Sequence, residues 1–277
     1  GSVMLPPWMQ HDGQTITSID ISPDGSRVIT SGLNKRVFLW NASVLNSVYC
    51  EERPDTAVCA AELSLPSAAN TVRFSPDGMY IAAAQDDGCI AIFRQDYAHD
   101  PSVPTDIGSD PLPERWLLAT TVKAHNSPAI DLAWSPDGHR LACTSVDNNI
   151  SIWDVAPLTP HAKSSPLLTH NLDNDTALLT TPSAIAAARG VEAKPPTRVA
   201  LLRGHNTWVT GVAWDPLYQY LATQDEAGVI IIWSATRFEM VRKLSAHLNK
   251  PAGSESLAPL GQTTGAAGNF QFNFSRI

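Results

Sequence analysis

The sequence predicts an all-β chain of the β-propeller class, and three observations carry that reading. First, four segments repeat one another: Ile19 to Gly25, Val72 to Gly78, Leu132 to Gly138 and Val212 to Tyr218. The first three each hold Ser-Pro-Asp-Gly, and the fourth holds Asp215-Pro216-Leu217-Tyr218. Second, seventeen residues separate Pro23 from Trp40, Pro76 from Phe93, Pro136 from Trp153 and Pro216 from Trp233. Third, the stretches between these marks are short, apolar and rich in β-branched side chains. That is the pattern of strands of about five residues rather than of helices.

Each repeat is built the same way. Alternation such as Val72, Phe74 or Leu132, Trp134 marks an opening strand with one buried face. Ser-Pro-Asp-Gly closes it as a tight turn, because proline presets φ at the second position and glycine accepts a positive φ. Second strands follow at 27–31, 80–84, 140–145 and 220–223. Polar turns then carry Asn34-Lys35, Asp86-Asp87-Gly88, Asp147-Asn148 and Glu226-Ala227-Gly228. Third strands run at 37–40, 90–93, 150–153 and 229–233, and a fourth precedes the next repeat. Four antiparallel strands make a propeller blade, and a regular repeat of this length marks a propeller array.

Two insertions interrupt the array. Residues 94–115 carry Pro101, Pro104, Pro111 and Pro113 among small polar residues, and 156–198 are rich in Pro, Ala and Thr. Both read as long loops; within the second, 178–189 has weak helical character that Pro182 limits. Four blades with these insertions are therefore expected over 3–248. Residues 249–277 read as a loop and the start of a fifth blade in a ring cut short.

Composition narrows the function. The chain has 277 residues, 19 Lys and Arg against 27 Asp and Glu, and a formal net charge of −8. That balance speaks against a direct grip on a phosphate backbone and tolerates a basic protein partner. No apolar run approaches the ~18 residues of a membrane helix. The cysteines Cys50, Cys59, Cys89 and Cys143 show no pairing or metal-ligand spacing, so neither a disulfide framework nor a metal is expected. No nucleophile elbow, HExxH, P-loop or dinucleotide fingerprint occurs, and no catalytic residue or cofactor is expected.

Gly204-His205 ahead of the Trp214 strand, weaker versions at Ala124-His125 and Ala246-His247, and Trp153-Asp154 closing a third strand resemble the WD40 repeat family. The resemblance implies a ring of about seven blades. It also implies a buried side-chain chain of hydrogen bonds, assigned in the third blade to His125, Ser145, Asp147 and Trp153. In the fourth blade His205 and Trp233 remain, but Ala227 stands where the acid belongs, so that chain is expected to be incomplete. Asn34 takes the acid position in the first blade, and the second has Asp87 with Phe93 in place of tryptophan.

Leu5 to Gly13, Asn70 to Tyr80, Glu114-Arg115-Trp116, Ser145 to Asn149, Leu202 to His205 and Trp214-Asp215-Pro216 resemble HIRA-type histone chaperones. Several of these blocks are also similar to the WD-repeat middle subunit of chromatin assembly factor one. Either resemblance implies a nuclear, non-catalytic scaffold that helps place histones H3–H4 on DNA. The HIRA type adds replication-independent assembly, transcriptional repression and a ubinuclein-type partner; a ubiquitin-ligase substrate receptor is the generic alternative for a WD40 chain. Partners are expected to dock where the turns between second and third strands meet the residues before each first strand. Trp208 is the candidate anchor, since Pro128, Ala68 and Thr15 stand at its equivalents, with Asp86, Asp87, Asp225 and Glu226 on the same rim.

Overall fold

The structure is a computed structural model that describes residues 11–45, 59–96, 114–158 and 195–244. The expected strand near residues 3–5, the weak helix at 178–189 and the segment 249–277 lie outside the described residues. Among the described residues, sixteen strands form four four-stranded sheets. The first blade holds β1 Ile16–Ile21, β2 Arg27–Gly32, β3 Arg36–Asn41 and β4 Cys59–Ser64. The second holds β5 Ala69–Phe74, β6 Tyr80–Gln85, β7 Cys89–Gln95 and β8 Trp116–Lys123. The third holds β9 Ala129–Trp134, β10 Arg140–Ser145, β11 Asn149–Asp154 and β12 Thr197–Arg203. The fourth holds β13 Val209–Trp214, β14 Tyr220–Asp225, β15 Ile230–Ser234 and β16 Met240–Leu244. Every pairing is antiparallel and sequential. The strand β7 runs to Gln95, so it reaches two residues into the first stretch read as loop. Asp96 N donates to Arg115 O at 2.8 Å and closes the base of that insertion.

The turns explain their own sequence. Gly25, Gly78 and Gly138 have φ of 71°, 73° and 71°. Their N–H groups return to Ser22, Ser75 and Ser135 O at 2.8, 2.9 and 2.8 Å. In the fourth blade Tyr218 takes that left-handed position, with φ of 57°. An aromatic side chain is costly there, and its ring rests on Trp214 with centroids 5.3 Å apart, which offsets the strain. At the other end of the second blade Gly88 has φ of 78° and lets the turn meet the next blade. A Cβ there would stand 2.3 Å from His125 O.

Blades stack through repeat-equivalent positions. Ile29, Val37 and Leu39 of the first blade cluster with Val72 and Phe74 of the second. Ala82, Ile90 and Ile92 cluster with Leu132 of the third, and Ala142, Ile150 and Ile152 with Val212 and Trp214 of the fourth. Fully burying one such side chain stabilises by roughly 1.5–3 kcal/mol. The innermost strands add polar ties. Asp20 accepts from Phe74 N at 2.9 Å, and Asp131 from Val212 N at 3.1 Å and from Arg73 Nη2 at 3.0 Å. Burial pushes both carboxyls up from the usual carboxylate range, against the pull of Arg73 and of those backbone N–H groups.

The two end faces differ from these interfaces. Ile19 and Ile21, equivalent to buried Val72 and Phe74, are 58% and 57% exposed. Ile230 and Ile232, equivalent to fully buried Ile150 and Ile152, are only half-buried. Packing runs from β1 to β5 to β9 to β13, and among the described residues β13 does not pack in this way on β1. The four blades form an arc.

Candidate functional site

Three blades carry a buried polar chain, and each assembles it differently. In the fourth, His205 Nδ1 lies 2.9 Å from Asp225 Oδ2 and Nε2 lies 2.8 Å from Thr223 Oγ1. Trp233 Nε1 donates to the same hydroxyl at 2.8 Å. With a neutral ring the directions follow: the carboxylate only accepts, so Nδ1 carries the proton, Nε2 accepts from the hydroxyl, and the hydroxyl accepts from the indole. Burial lowers the His205 pKa, although Asp225 pulls it the other way. A neutral ring is the form this chain needs.

This geometry corrects two sequence expectations. The fourth blade's chain is complete, because its acid is Asp225, two residues before Ala227, at the end of β14. Asp225 is therefore 2% exposed and is not a rim residue. The turn is as long as that of the third blade, but its acid stands two residues earlier, at the position of Ser145: Asp225 Oδ1 also accepts from Val229 N at 2.9 Å, across that turn.

In the third blade His125 Nδ1 meets Asp147 Oδ2 at 2.9 Å, and Nε2 meets the hydroxyl of Ser151, not of Ser145, at 2.9 Å. Trp153 Nε1 donates to Ser151 Oγ at 3.0 Å. The position that holds Thr223 in the fourth blade and Thr30 in the first holds Cys143 here. Its ladder partner across β10 and β11 is Ser151, which supplies the missing hydroxyl. Ser145 instead donates to Pro128 O at 2.8 Å and accepts from Asp147 N at 3.2 Å, which braces the turn. Asp147, His125 and Ser151 stand in the chemical order of a hydrolase triad. Ser151 is fully buried, however, and its oxygen is held by the Trp153 indole, so no substrate carbonyl reaches it.

The first blade repeats the arrangement with Asn34 for the acid. His11 lies 3.0 Å from Asn34 Oδ1 and 2.8 Å from Thr30 Oγ1, and Trp40 Nε1 donates to Thr30 at 2.8 Å. His11 and Thr30 were not assigned from sequence: His11 precedes Pro23 by twelve residues, where His125 and His205 precede their prolines by eleven. The second blade has replaced the whole set. Leu65, Ala83 and Phe93 stand at the equivalent positions in one apolar cluster. Asp87, released from any histidine, is exposed and accepts from Cys89 N at 2.9 Å.

Above these chains lies the rim. One backbone hydrogen bond recurs in all four blades: Leu33 N to Thr15 O at 3.1 Å, Asp86 N to Ala68 O at 3.0 Å, Val146 N to Pro128 O at 3.1 Å and Glu226 N to Trp208 O at 2.9 Å. The repeat equivalence read from sequence is thus a geometric one, and it sets Glu226 beside Trp208. Trp208 is 50% exposed. Asp86 accepts from Asn70 Nδ2 at 2.8 Å. Asp86, Asp87, Trp208 and Glu226 share this end of the arc. Among the described residues no group of three or more potential ligands is placed to hold a metal, and no helix is long and apolar enough to cross a membrane.

Four antiparallel blades, tied by histidine–hydroxyl–tryptophan chains in three of them, define a propeller repeat protein. The WD domain, G-beta repeat, matches residues 6–41, 58–94, 116–154 and 196–234, and the chain belongs to the WD40 repeat family. Among curated proteins it is similar to protein HIRA of Homo sapiens, 33% identical over 159 residues, which cover 55% of this chain and 16% of that protein. Protein HIRA of Dictyostelium discoideum is 30% identical over 155 residues, covering 55% and 13%. Protein HIR1 of Cryptococcus neoformans is 27% identical over 252 residues, covering 88% and 24%. The chain thus spans a quarter or less of the length of these relatives. A crystal structure of the mitotic checkpoint complex contains a chain that superposes with a TM-score of 0.54 at 18% identity, covering 86% of this chain and 53% of that one, a likeness of fold alone.

Proposed function

We propose that the chain is the propeller part of a HIRA-type scaffold, a non-catalytic subunit of a nuclear histone chaperone complex. In this reading it takes part in replication-independent deposition of H3–H4 and in transcriptional regulation, and it holds partner subunits of the ubinuclein type. The similarity to HIRA and HIR1 proteins from animals, amoebae and fungi carries the reading. Its chemistry agrees: the buried histidines serve the fold, and the varied residues lie on the rim, where a binding module keeps its specificity. The net charge of −8 suits a basic protein partner better than a phosphate backbone.

The test is affinity purification of the tagged full chain from nuclear extract. Histones H3–H4 with chaperone subunits are expected, in equal yield from replicating and arrested cells. Recovery confined to replicating cells would point to the chromatin assembly factor instead. Recovery of a cullin adaptor without histones would replace the chaperone reading with that of a ubiquitin-ligase receptor.

A further inference from the structure

We infer that the rim of the third and fourth blades is a docking site for an extended, arginine- or lysine-rich segment of a partner protein, with one cation stacked on Trp208 and paired with Glu226. The inference deepens the scaffold reading above and rests on it for the source of the partner. Three observations carry it.

The first is positional. The residue that offers its carbonyl to the recurring rim hydrogen bond is Thr15, Ala68, Pro128 or Trp208. Three blades fold with a small residue there, so the fold does not require the indole. Half of it is solvent-exposed, whereas Trp40, Trp153 and Trp233 are buried by the blades themselves. A large exposed aromatic of this kind is a typical interface anchor.

The second is the identity of its neighbours. The backbone bond from Glu226 N to Trp208 O, at 2.9 Å, sets an acidic residue beside the one that bears the ring. A carboxylate beside the face of an indole is complementary to a guanidinium or ammonium, which gains from both. The equivalent residue in the second blade is Asp86, a second acid along the path toward the arc's middle. Two ammonium groups at this end are tied to backbone carbonyls and keep their charge: Lys243 Nζ donates to Gly204 O at 2.7 Å, and Lys123 Nζ donates to the carbonyl of Asp87. Arg36 is paired with Glu62 at 3.0 Å on the first blade.

The third is an amide acceptor without a donor. Asn148 Nδ2 donates to Asn206 O at 3.2 Å and ties the third blade's turn to the loop that bears Trp208. Among the described residues Asn148 Oδ1 and Thr207 Oγ1 have no hydrogen-bond partner. The Asn148 amide oxygen only accepts, whereas the Thr207 hydroxyl both donates and accepts, so the pair offers one acceptor to a donor such as an arginine or lysine side chain.

The experiment measures fluorescence anisotropy of a labelled peptide of alternating arginine and alanine against the full chain at physiological salt. A peptide with glutamate in place of arginine serves as the counter-probe. The arginine peptide is expected to bind and the glutamate peptide not to. Trp208→Ala and Glu226→Gln should each raise Kd about tenfold. Asp24→Asn, on a turn at the opposite end of the blades, should change it less than about twofold. Melting temperatures should stay at the wild-type value; if Trp208→Ala unfolds the chain, Glu226→Lys decides, and unchanged binding there overturns the proposal. It is also overturned if the arginine peptide does not bind, if Trp208→Ala binds as wild type, or if Asp24→Asn is as damaging, which would mean diffuse attraction to an acidic protein. H3–H4 recovered with the full chain, with peptide binding absent, would sink this site and leave the scaffold reading intact. Peptide binding lost in Trp208→Ala, with no histone recovered, would sink the scaffold reading alone.

Discussion

Thr223→Val removes one hydroxyl and keeps the side-chain volume, which makes it a clean test of the buried polar chains. Thr223 Oγ1 accepts from Trp233 Nε1 and donates to His205 Nε2, both at 2.8 Å. All three side chains are buried, so the substitution leaves one donor and one acceptor without water. Each such group costs about 1–3 kcal/mol, and the methyl returns a small part through burial. The net loss is then about 2–4 kcal/mol, which for a protein of this size lowers Tm by about 5–12 °C. Thr223→Ser keeps the hydroxyl and loses only a methyl, so it serves as the packing comparison. Scanning calorimetry of the full-length protein reads both. A Thr223→Val Tm within about 2 °C of wild type would mean that the chain of bonds contributes little net stability and that apolar packing alone holds the blade.

Three further expectations can be measured alongside. Asp147→Ala, which strips His125 of its acid, should lower Tm by several degrees more than Asp87→Ala, whose carboxylate is exposed and meets a turn N–H; equal losses would contradict the third blade's geometry. Burial depresses the pKa of His205, so the unfolded chain binds the extra proton first as pH falls. The stability contributed by the neutral ring is whole above about pH 6.5 and declines below it. A histidine titration by NMR that placed His205 above 6.5 would reverse that sign. The exposed faces at Ile19, Ile21 and at Ile230, Ile232 should make the 277-residue chain on its own self-associate, and Ile19→Ser with Ile21→Ser should reduce it. A monomer with a sharp two-state melt in sedimentation and calorimetry would refute this.

The sequence carried the blades well because a propeller writes its register into local chemistry. A Ser-Pro-Asp-Gly turn fixes where two strands meet, and a fixed distance to a tryptophan fixes the third. Those signals need no tertiary knowledge. The buried chains were harder, since a hydrogen bond can be supplied from either side of a ladder. Ser151 replaces a hydroxyl lost at Cys143 from the neighbouring strand, and no spacing rule on one strand reveals it. Asp225 escaped for a related reason: in a turn of unchanged length the acid stands two residues earlier, where the third blade has Ser145, and its oxygen still lies 2.9 Å from the ring. Trp208 was legible by contrast with its equivalents, and its exposure follows that contrast. The exclusion of Asp225 from the rim was not legible, because a buried and an exposed acid look alike in a polar turn.

Four blades with three versions of the polar chain and one apolar substitute show which part of the repeat is under the strictest physical demand. The apolar positions that stack blade on blade are filled everywhere by Ala, Ile, Val, Leu or an aromatic, because each is shared by two sheets. The polar chain is internal to one blade and changes as a set: losing the histidine alone would strand a buried tryptophan and hydroxyl, whereas Leu65, Ala83 and Phe93 together carry no polar side-chain atom to strand. The rim obeys neither demand. Its backbone geometry is held by the same N–H to O bond in every blade, and its side chains range from threonine to tryptophan and from leucine to glutamate. Where the scaffold is indifferent to the side chain, selection for a partner can act without disturbing the fold, which is why the difference between one blade and the next is the place to look for what the protein binds.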